Sequence, residues 1–367
     1  MVSIMGCLGI SVYPERAQTE EIFAYLEKAH TLGYKRLFTS LLEVKGEQEA
    51  VIDNFEKMIS YAKKLGFQTL IDINPKLFRQ LGISYTDLSF FHNLGVDGIR
   101  LDLGFTGLEE ALMTRNPYGL KIEINMSSGT NYLENIMSYS PDRLNLLGCH
   151  NFYPQRYTGL GEKFFTECSA QFKKYSLHTA AFVSSASAKI GPWALQDGLP
   201  TLEEDRFKAI ELQIEHLKSF GFIDDILIGN AFASESELKA GAAAFFAIQP
   251  QLHVELVTGI SIVEKQAVLE NLHLYRGDQS EYLIRDLNTR TKYAATPIKA
   301  QNNAEMIKRG DILLVNQNYG QYNGELQIAL RDFPNDGRRN LVARIAPEDL
   351  FLLNKVQPWS TFDLKLR

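Results

Sequence analysis

Three short stretches alternate polar and aliphatic residues: Asp72-Ile73-Asn74, Arg100-Leu101-Asp102 and Glu123-Ile124-Asn125. A repeat of two is the repeat of a β-strand, so each stretch sends its polar pair to one face and its aliphatic residue to the other. Three acids and one arginine on a covered face are costly to bury unless something uses them. Carboxylates in unlike surroundings can divide the work of acetal cleavage, and several other reaction classes would fit them as well. One stays protonated and donates to the leaving oxygen, and the other stays ionised and meets the charge developing at the sugar carbon. Asp102 and Glu123, on neighbouring stretches, are the preferred catalytic pair, with Asp72 the third candidate. Strands run about 4.8 Å apart, so this pair can approach the roughly 5 to 5.5 Å separation of retaining glycosidases. Arg100 can hold one member ionised while burial raises the other.

Other apolar runs end in hydroxyls, amides and rings suited to sugar recognition. They are Ser11-Val12-Tyr13-Pro14-Glu15, His150-Asn151-Phe152-Tyr153 and Gly229-Asn230. With Arg100, they nominate Ser11, Tyr13, Asn74, Asn125, His150, Asn151 and Tyr153 for substrate contact. Structural readings stand beside these. Arg100 can simply pair with Asp102, His150 needs only a hydrogen bond, and Cys149 suits packing. Arg338-Arg339, after Asn335-Asp336-Gly337, serves a solvated turn as readily as an anion site.

Two other chemistries fit poorly. Schiff-base and pyridoxal-phosphate enzymes need a strand-end lysine, but Lys35 and Lys121 stand at the wrong ends of their strands. The histidines lack zinc-ligand spacing, and nothing demands magnesium, so no metal or cofactor is expected.

The elements that position these residues repeat a unit in which an amphipathic stretch closes on a hydrophobic-glycine pair and an apolar strand follows. Leu32-Gly33-Tyr34, Leu65-Gly66-Phe67, Leu94-Gly95-Val96 and Phe220-Gly221-Phe222 mark it. Strands are predicted near 4–12, 36–41, 69–73, 99–103, 121–125, 144–150, 179–183 and 225–229, with helices such as Thr19 to Leu32 and Glu47 to Leu65 between them. Eight such units predict a (β/α)8 TIM barrel over residues 1–248, and no Gly-x-Gly-x-x-Gly follows the first strand. In that fold the strand ends face the active site. After Ala247-Ile248-Gln249-Pro250 short strands and turns take over, Asn323-Gly324 reads as a hairpin, and 249–367 is predicted to be a small β-rich domain.

A chain of 367 residues with 45% hydrophobic and 22% charged residues can bury two cores, and its net charge of -6 argues against a nucleic-acid partner. Cys7, Cys149 and Cys168 show no disulfide or metal pairing, as in a reducing compartment. Gly6-Cys7 lies in an apolar N-terminus, but no Lys or Arg precedes the run and the cysteine comes too early for a lipoprotein leader. No stretch of ~18 apolar residues suggests a membrane span. A cytoplasmic protein acting on a small molecule is expected.

Taken as a set, Gly9-Ile10-Ser11-Val12-Tyr13-Pro14-Glu15, Phe38-Thr39-Ser40-Leu41, Asp72-Ile73-Asn74-Pro75, Arg100-Leu101-Asp102, Cys149-His150-Asn151-Phe152-Tyr153-Pro154 and Gly198-Leu199-Pro200-Thr201-Leu202-Glu203 resemble the MupG family of bacterial 6-phospho-N-acetylmuramidases, glycoside hydrolase family 170. The resemblance extends through Asn335-Asp336-Gly337-Arg338-Arg339-Asn340. It implies a barrel with a cyclophilin-like C-terminal domain that cleaves the β-1,4 bond between N-acetylmuramic acid 6-phosphate and N-acetylglucosamine, in cell-wall recycling. Barrel phosphates usually sit on the loops after strands seven and eight, which nominates Ser184, Ser185 and Asn230. Arg156 and Arg338 are the alternative anchors, the latter reaching from a second domain packed near the barrel mouth. A sugar-phosphate isomerase or lyase and a non-catalytic phosphosugar-binding regulator are the rival readings, and release of reducing sugar discriminates among them.

Overall fold

The computed structural model describes residues 6–41 and 48–367. The chain divides into two compact units, Met1–Phe245 and Phe246–Arg367. In the first, β1 (Leu8–Ser11), β2 (Arg36–Ser40), β3 (Gln68–Ile73), β4 (Gly98–Leu101), β5 (Lys121–Asn125), β6 (Leu146–Cys149), β7 (His178–Val183) and β8 (Asp225–Ile228) close into a barrel in chain order. All neighbours are parallel and β8 pairs back with β1. This is the predicted (β/α)8 barrel. The expected strand start at Ile4 and helix start at Glu47 lie outside the described residues, and the second helix runs Gln48–Lys64.

The alternation read from the sequence separates two cores. Ile71, Ile99, Leu101, Ile122 and Ile124 face outward and pack with Leu26, Phe55 and Phe91 of the surrounding helices. Inside the barrel, Tyr13, Phe38, Cys149, Phe182 and Leu227 form a separate apolar plug. The charged residues occupy the remainder of the lumen, where the register makes Ser40, Asp72, Arg100 and Glu123 successive Cα partners across β2 to β5. The marker glycines close their helices at positive φ; at Gly66 (φ +85°) an added Cβ would meet nothing, so the residue serves its backbone conformation alone.

The second unit is mostly β. It contains β9 (Gln251–Leu256), β10 (His273–Leu274), β11 (Leu283–Arg285), β12 (Met306–Ile307), β13 (Asp311–Val315), β14 (Leu326–Ala329), β15 (Phe333–Pro334), β16 (Arg339–Ile345) and β17 (Thr361–Leu366). Seven of these form one sheet in the order β10-β17-β9-β16-β13-β14-β11, and β12 pairs with β15. Asn323-Gly324 is not the tip of a tight hairpin. β13 and β14 do pair antiparallel, but a 3-10 helix, Gln317–Tyr322, intervenes, and the Asn323 amide bonds back to the carbonyls of Tyr293 and Thr296. Among the described residues no helix is long and apolar enough to cross a membrane.

Candidate active site

Asp72, Arg100 and Asp102 meet at the C-terminal mouth of the barrel. Arg100 Nη1 donates to Asp72 Oδ1 at 2.7 Å and lies 3.8 Å from Asp102 Oδ1. Both oxygens are measured from one nitrogen, so they are at most 6.5 Å apart, the sum of the two distances. Arg100 Nη2 donates to Asn151 Oδ1. A recess of about 110 Å³ opens over these groups, with Ser40 on one side and the edge-to-face rings of Phe152 and Trp193, centroids 5.9 Å apart, as a wall. That volume holds the reacting end of a sugar, not a whole disaccharide.

The two carboxylates differ in surroundings. The Asp72 side chain is 6% exposed and that of Asp102 35%. Burial pushes the Asp72 carboxyl up to about 7; Arg100 opposes the rise and the charge of Asp102 adds to it. At neutral pH a large fraction of Asp72 therefore carries its proton.

Glu123 lies elsewhere. It is fully buried, bonded through Oε2 to Arg36, and absent from the residues lining the recess. Its Oε1 stands 3.9 Å from Arg100 Nε, and neither of these atoms has a hydrogen-bond partner among the described residues. Arg36 also bonds Asp225, which accepts from His178 Nε2 at 2.8 Å and from the Cys7 amide at 2.6 Å. Burial alone would raise the Asp225 carboxyl, but Arg36 and then His178 outweigh it and hold it at about 2. A line of alternating charge, Asp225, Arg36, Glu123, Arg100, Asp72, thus runs through the lumen. Asp102 and Glu123 both stand within 4 Å of Arg100, but of the two only Asp102 lines the recess, together with Asp72, while Glu123 is bonded to the arginine at the start of β2.

Several nominated residues are engaged within the protein. Ser11 Oγ donates to the Ile228 carbonyl at 2.7 Å and Tyr13 Oη to the Gly229 carbonyl at 2.6 Å. Asn74 caps the helix Pro75–Gln80 by accepting from the Leu77 amide, and Asn125 accepts from the Ser127 amide at 2.7 Å. His150 places Nδ1 on Ser127 Oγ at 3.0 Å and Nε2 on Ser169 Oγ at 2.9 Å, so both ring nitrogens are occupied. Burial, then Arg100, lowers its pKa to about 3, and the ring is neutral. In the loops after β7 and β8 the nominated groups bond within the protein. Asn230 accepts from the Ser185 amide at 2.9 Å, Leu199 N donates to Ser184 Oγ at 2.9 Å, and the Glu237 carboxylate takes Ser185 Oγ at 2.8 Å, bringing negative charge to the place. Arg156 is half-exposed beside Asp197 at 3.1 Å, and Tyr153 is partly buried on the same loop. Arg338, in the second unit, is half-exposed over the Tyr319 ring at 5.0 Å.

Sequence reasoning missed the clamp that fixes the mouth. Buried Arg206 donates from Nη1 to the carbonyl of Tyr153 at 2.7 Å and of Asp197 at 3.2 Å, and pairs with Glu203. Glu203 accepts the amides of Tyr157 and Gly159, and Thr201 Oγ1 donates to the Asn151 carbonyl at 2.9 Å. The loops after β6 and β7 are thereby joined.

The barrel matches the family described as 6-phospho-N-acetylmuramidase, N-terminal, over residues 8–243, and the second unit matches its C-terminal counterpart over residues 250–365. The chain belongs to the 6-phospho-N-acetylmuramidase family. It is 44% identical to an uncharacterized B. cereus protein of known crystal structure, covering 98% of this chain and 99% of that one with a TM-score of 0.90. A conserved protein of unknown function from Enterococcus faecalis is 26% identical, covers 98% and 96%, and superposes with a TM-score of 0.73. No functionally curated protein matches.

In this member of the 6-phospho-N-acetylmuramidase family the larger cavity, about 630 Å³, is at the other end of the barrel, lined by residues such as Arg36, Lys121 and Asp225 that begin their strands. The smaller recess is at the C-terminal ends of the strands, the end at which barrel reactions take place, and the two unlike carboxylates converge there. Ser40 stands one residue before the end of the predicted strand 36–41 and was open to nomination. Trp193, in a long stretch without periodicity, carried no signal. Among the described residues, no three His, Cys, Asp or Glu side chains are grouped to hold a metal ion.

Proposed function

We propose that the protein is a glycosidase that hydrolyses the β-1,4 bond between N-acetylmuramic acid 6-phosphate and N-acetylglucosamine, within the reuse of cell-wall sugars in the cytoplasm. Family membership supports the reaction class, and one observation carries the mechanism: two carboxylates of unlike burial share Arg100 at the barrel mouth. Asp72, held protonated by burial, donates to the leaving oxygen of the N-acetylglucosamine residue. Asp102, a third exposed, faces the anomeric carbon, either attacking it or orienting the 2-acetamido oxygen that does. A separation of at most 6.5 Å favours these routes over the wider spacing of inverting enzymes, so the product keeps its anomeric configuration. After departure, Asp72 is a carboxylate and accepts a proton from the water that completes hydrolysis. Phe152 and Trp193 supply an apolar face for the pyranose ring.

Arg156, an exposed guanidinium on the barrel, is assigned to the 6-phosphate, and replacing it raises KM for the phosphorylated disaccharide far more than for its unphosphorylated analogue. The deciding experiment follows the phosphorylated disaccharide by NMR. Release of N-acetylglucosamine with a retained anomer supports the proposal. An intact disaccharide, or isomerisation without hydrolysis, refutes it.

A further inference from the structure

We propose that the cavity at the N-terminal end of the barrel is a second ligand site, built for a small organic anion with an apolar body. At about 630 Å³ it lies within the size range of small-molecule pockets, and it shares no lining residue with the recess at the mouth. Leu70, Val96, Leu120 and Leu147 give it apolar walls. His92 and Tyr118, stacked with centroids 4.6 Å apart and planes at 18°, give it a flat aromatic edge.

Its charge is unbalanced. Arg36, Lys63, Lys121 and Arg143 line it, against two carboxylates, Asp97 and Asp225. Both carboxylates are engaged: Asp97 Oδ2 accepts the Thr69 amide at 2.8 Å, and Asp225 is held by Arg36 and His178. Lys121 is occupied by the Leu144 carbonyl and Asn145, each at 2.9 Å. The side chains of Lys63 and Arg143, on the exposed rim, make no ion pair or hydrogen bond among the described residues. Arg36, which also lines the cavity, keeps a buried Nε without a partner. Two unneutralised cations, apolar walls and an aromatic edge complement a carboxylate or phosphate attached to a ring or short aliphatic body. A neutral sugar would leave both cations unmatched.

The test titrates the full chain with 8-anilinonaphthalene-1-sulfonate, an apolar anion whose fluorescence rises when it leaves water. One saturable site is expected, weakened at least tenfold in the Lys63→Glu/Arg143→Glu double variant and unchanged in Asp102→Asn, with circular dichroism confirming that both fold. Phenyl phosphate should displace the dye at a concentration at least tenfold lower than inorganic phosphate. Unsaturable binding, or an affinity the charge reversals do not change, overturns the site. Equal displacement by the two phosphates overturns the need for an apolar body. The readout requires no catalysis, so its outcome is independent of the glycosidase reading.

Discussion

Replacing Glu123 with Gln separates a catalytic carboxylate from one that sets the charge of its neighbours. The substitution keeps the shape and an acceptor for Arg36 but removes a buried negative charge 3.9 Å from Arg100 Nε. The Glu123 charge raises the Asp72 carboxyl, so its loss lets Asp72 ionise at lower pH. Two like charges about 10 Å apart at an effective dielectric near 20 interact by about 1.7 kcal/mol, and with Arg100 lying between Glu123 and Asp72 about one pH unit is expected. A general acid works only while protonated, so activity in the parent falls as pH rises through about 7, and in Glu123→Gln this alkaline limb moves down by about one unit. Arg36 retains Asp225, so the loss of folding stability stays near about 3 kcal/mol, the low end for breaking a buried pair. The assay is kcat/KM on the phosphorylated disaccharide from pH 5 to 9, which reports the free enzyme, with thermal unfolding run alongside. A loss of about a thousandfold at every pH, with the limb unmoved, would show Glu123 to be catalytic. An upward-moving limb would refute the electrostatic reasoning.

Three further outcomes are expected. Asp72→Asn and Asp102→Asn should each lower kcat by about 10² to 10⁴ while the protein stays folded, measured by release of N-acetylglucosamine. Asp225→Asn should lose roughly 2 kcal/mol at pH 7, because the native carboxyl is held at about 2 against an ordinary 3.8; the deficit is full above about pH 4 and about half by pH 3, as denaturant unfolding at both pH values would show. His150 stays neutral in the native state down to about pH 3, whereas unfolded histidine protonates near 6.5; this group should therefore make stability fall by about 1.4 kcal/mol per pH unit within that window, a slope missing from His150→Gln.

The barrel was legible because its signals are local. Gly33, Gly66, Gly95 and Gly221 all adopt the positive φ that a helix end followed by a strand requires. The alternation in β3 to β5 likewise placed Asp72, Arg100 and Glu123 on one buried face. Depth within that face was not legible, because it depends on which residue of a distant strand arrives opposite. Arg36 stands at the start of β2, far from any strand-end motif, yet it meets Glu123 and Asp225, and Glu123 does not line the recess at the mouth. The partners of Ser184, Ser185 and Asn230 were not legible either. These residues are polar and strand-terminal, but a side chain's type does not disclose that its partner is another residue of the same protein.

The joining of the loops after β6 and β7 has a consequence in time. Arg206 holds carbonyls from both, and Thr201 fixes the backbone of Asn151, the residue bonded to Arg100 at the mouth. Lids that open and close during turnover come from weakly held segments, and this rim is fastened by buried, charge-assisted hydrogen bonds. Substrate therefore meets a preformed mouth, and association should appear as a single exponential phase whose rate rises linearly with concentration, without the plateau that a closing step imposes. Cutting the fastening with Arg206→Ala would add that slow phase, turning a fixed socket into one that must reassemble around every molecule it captures.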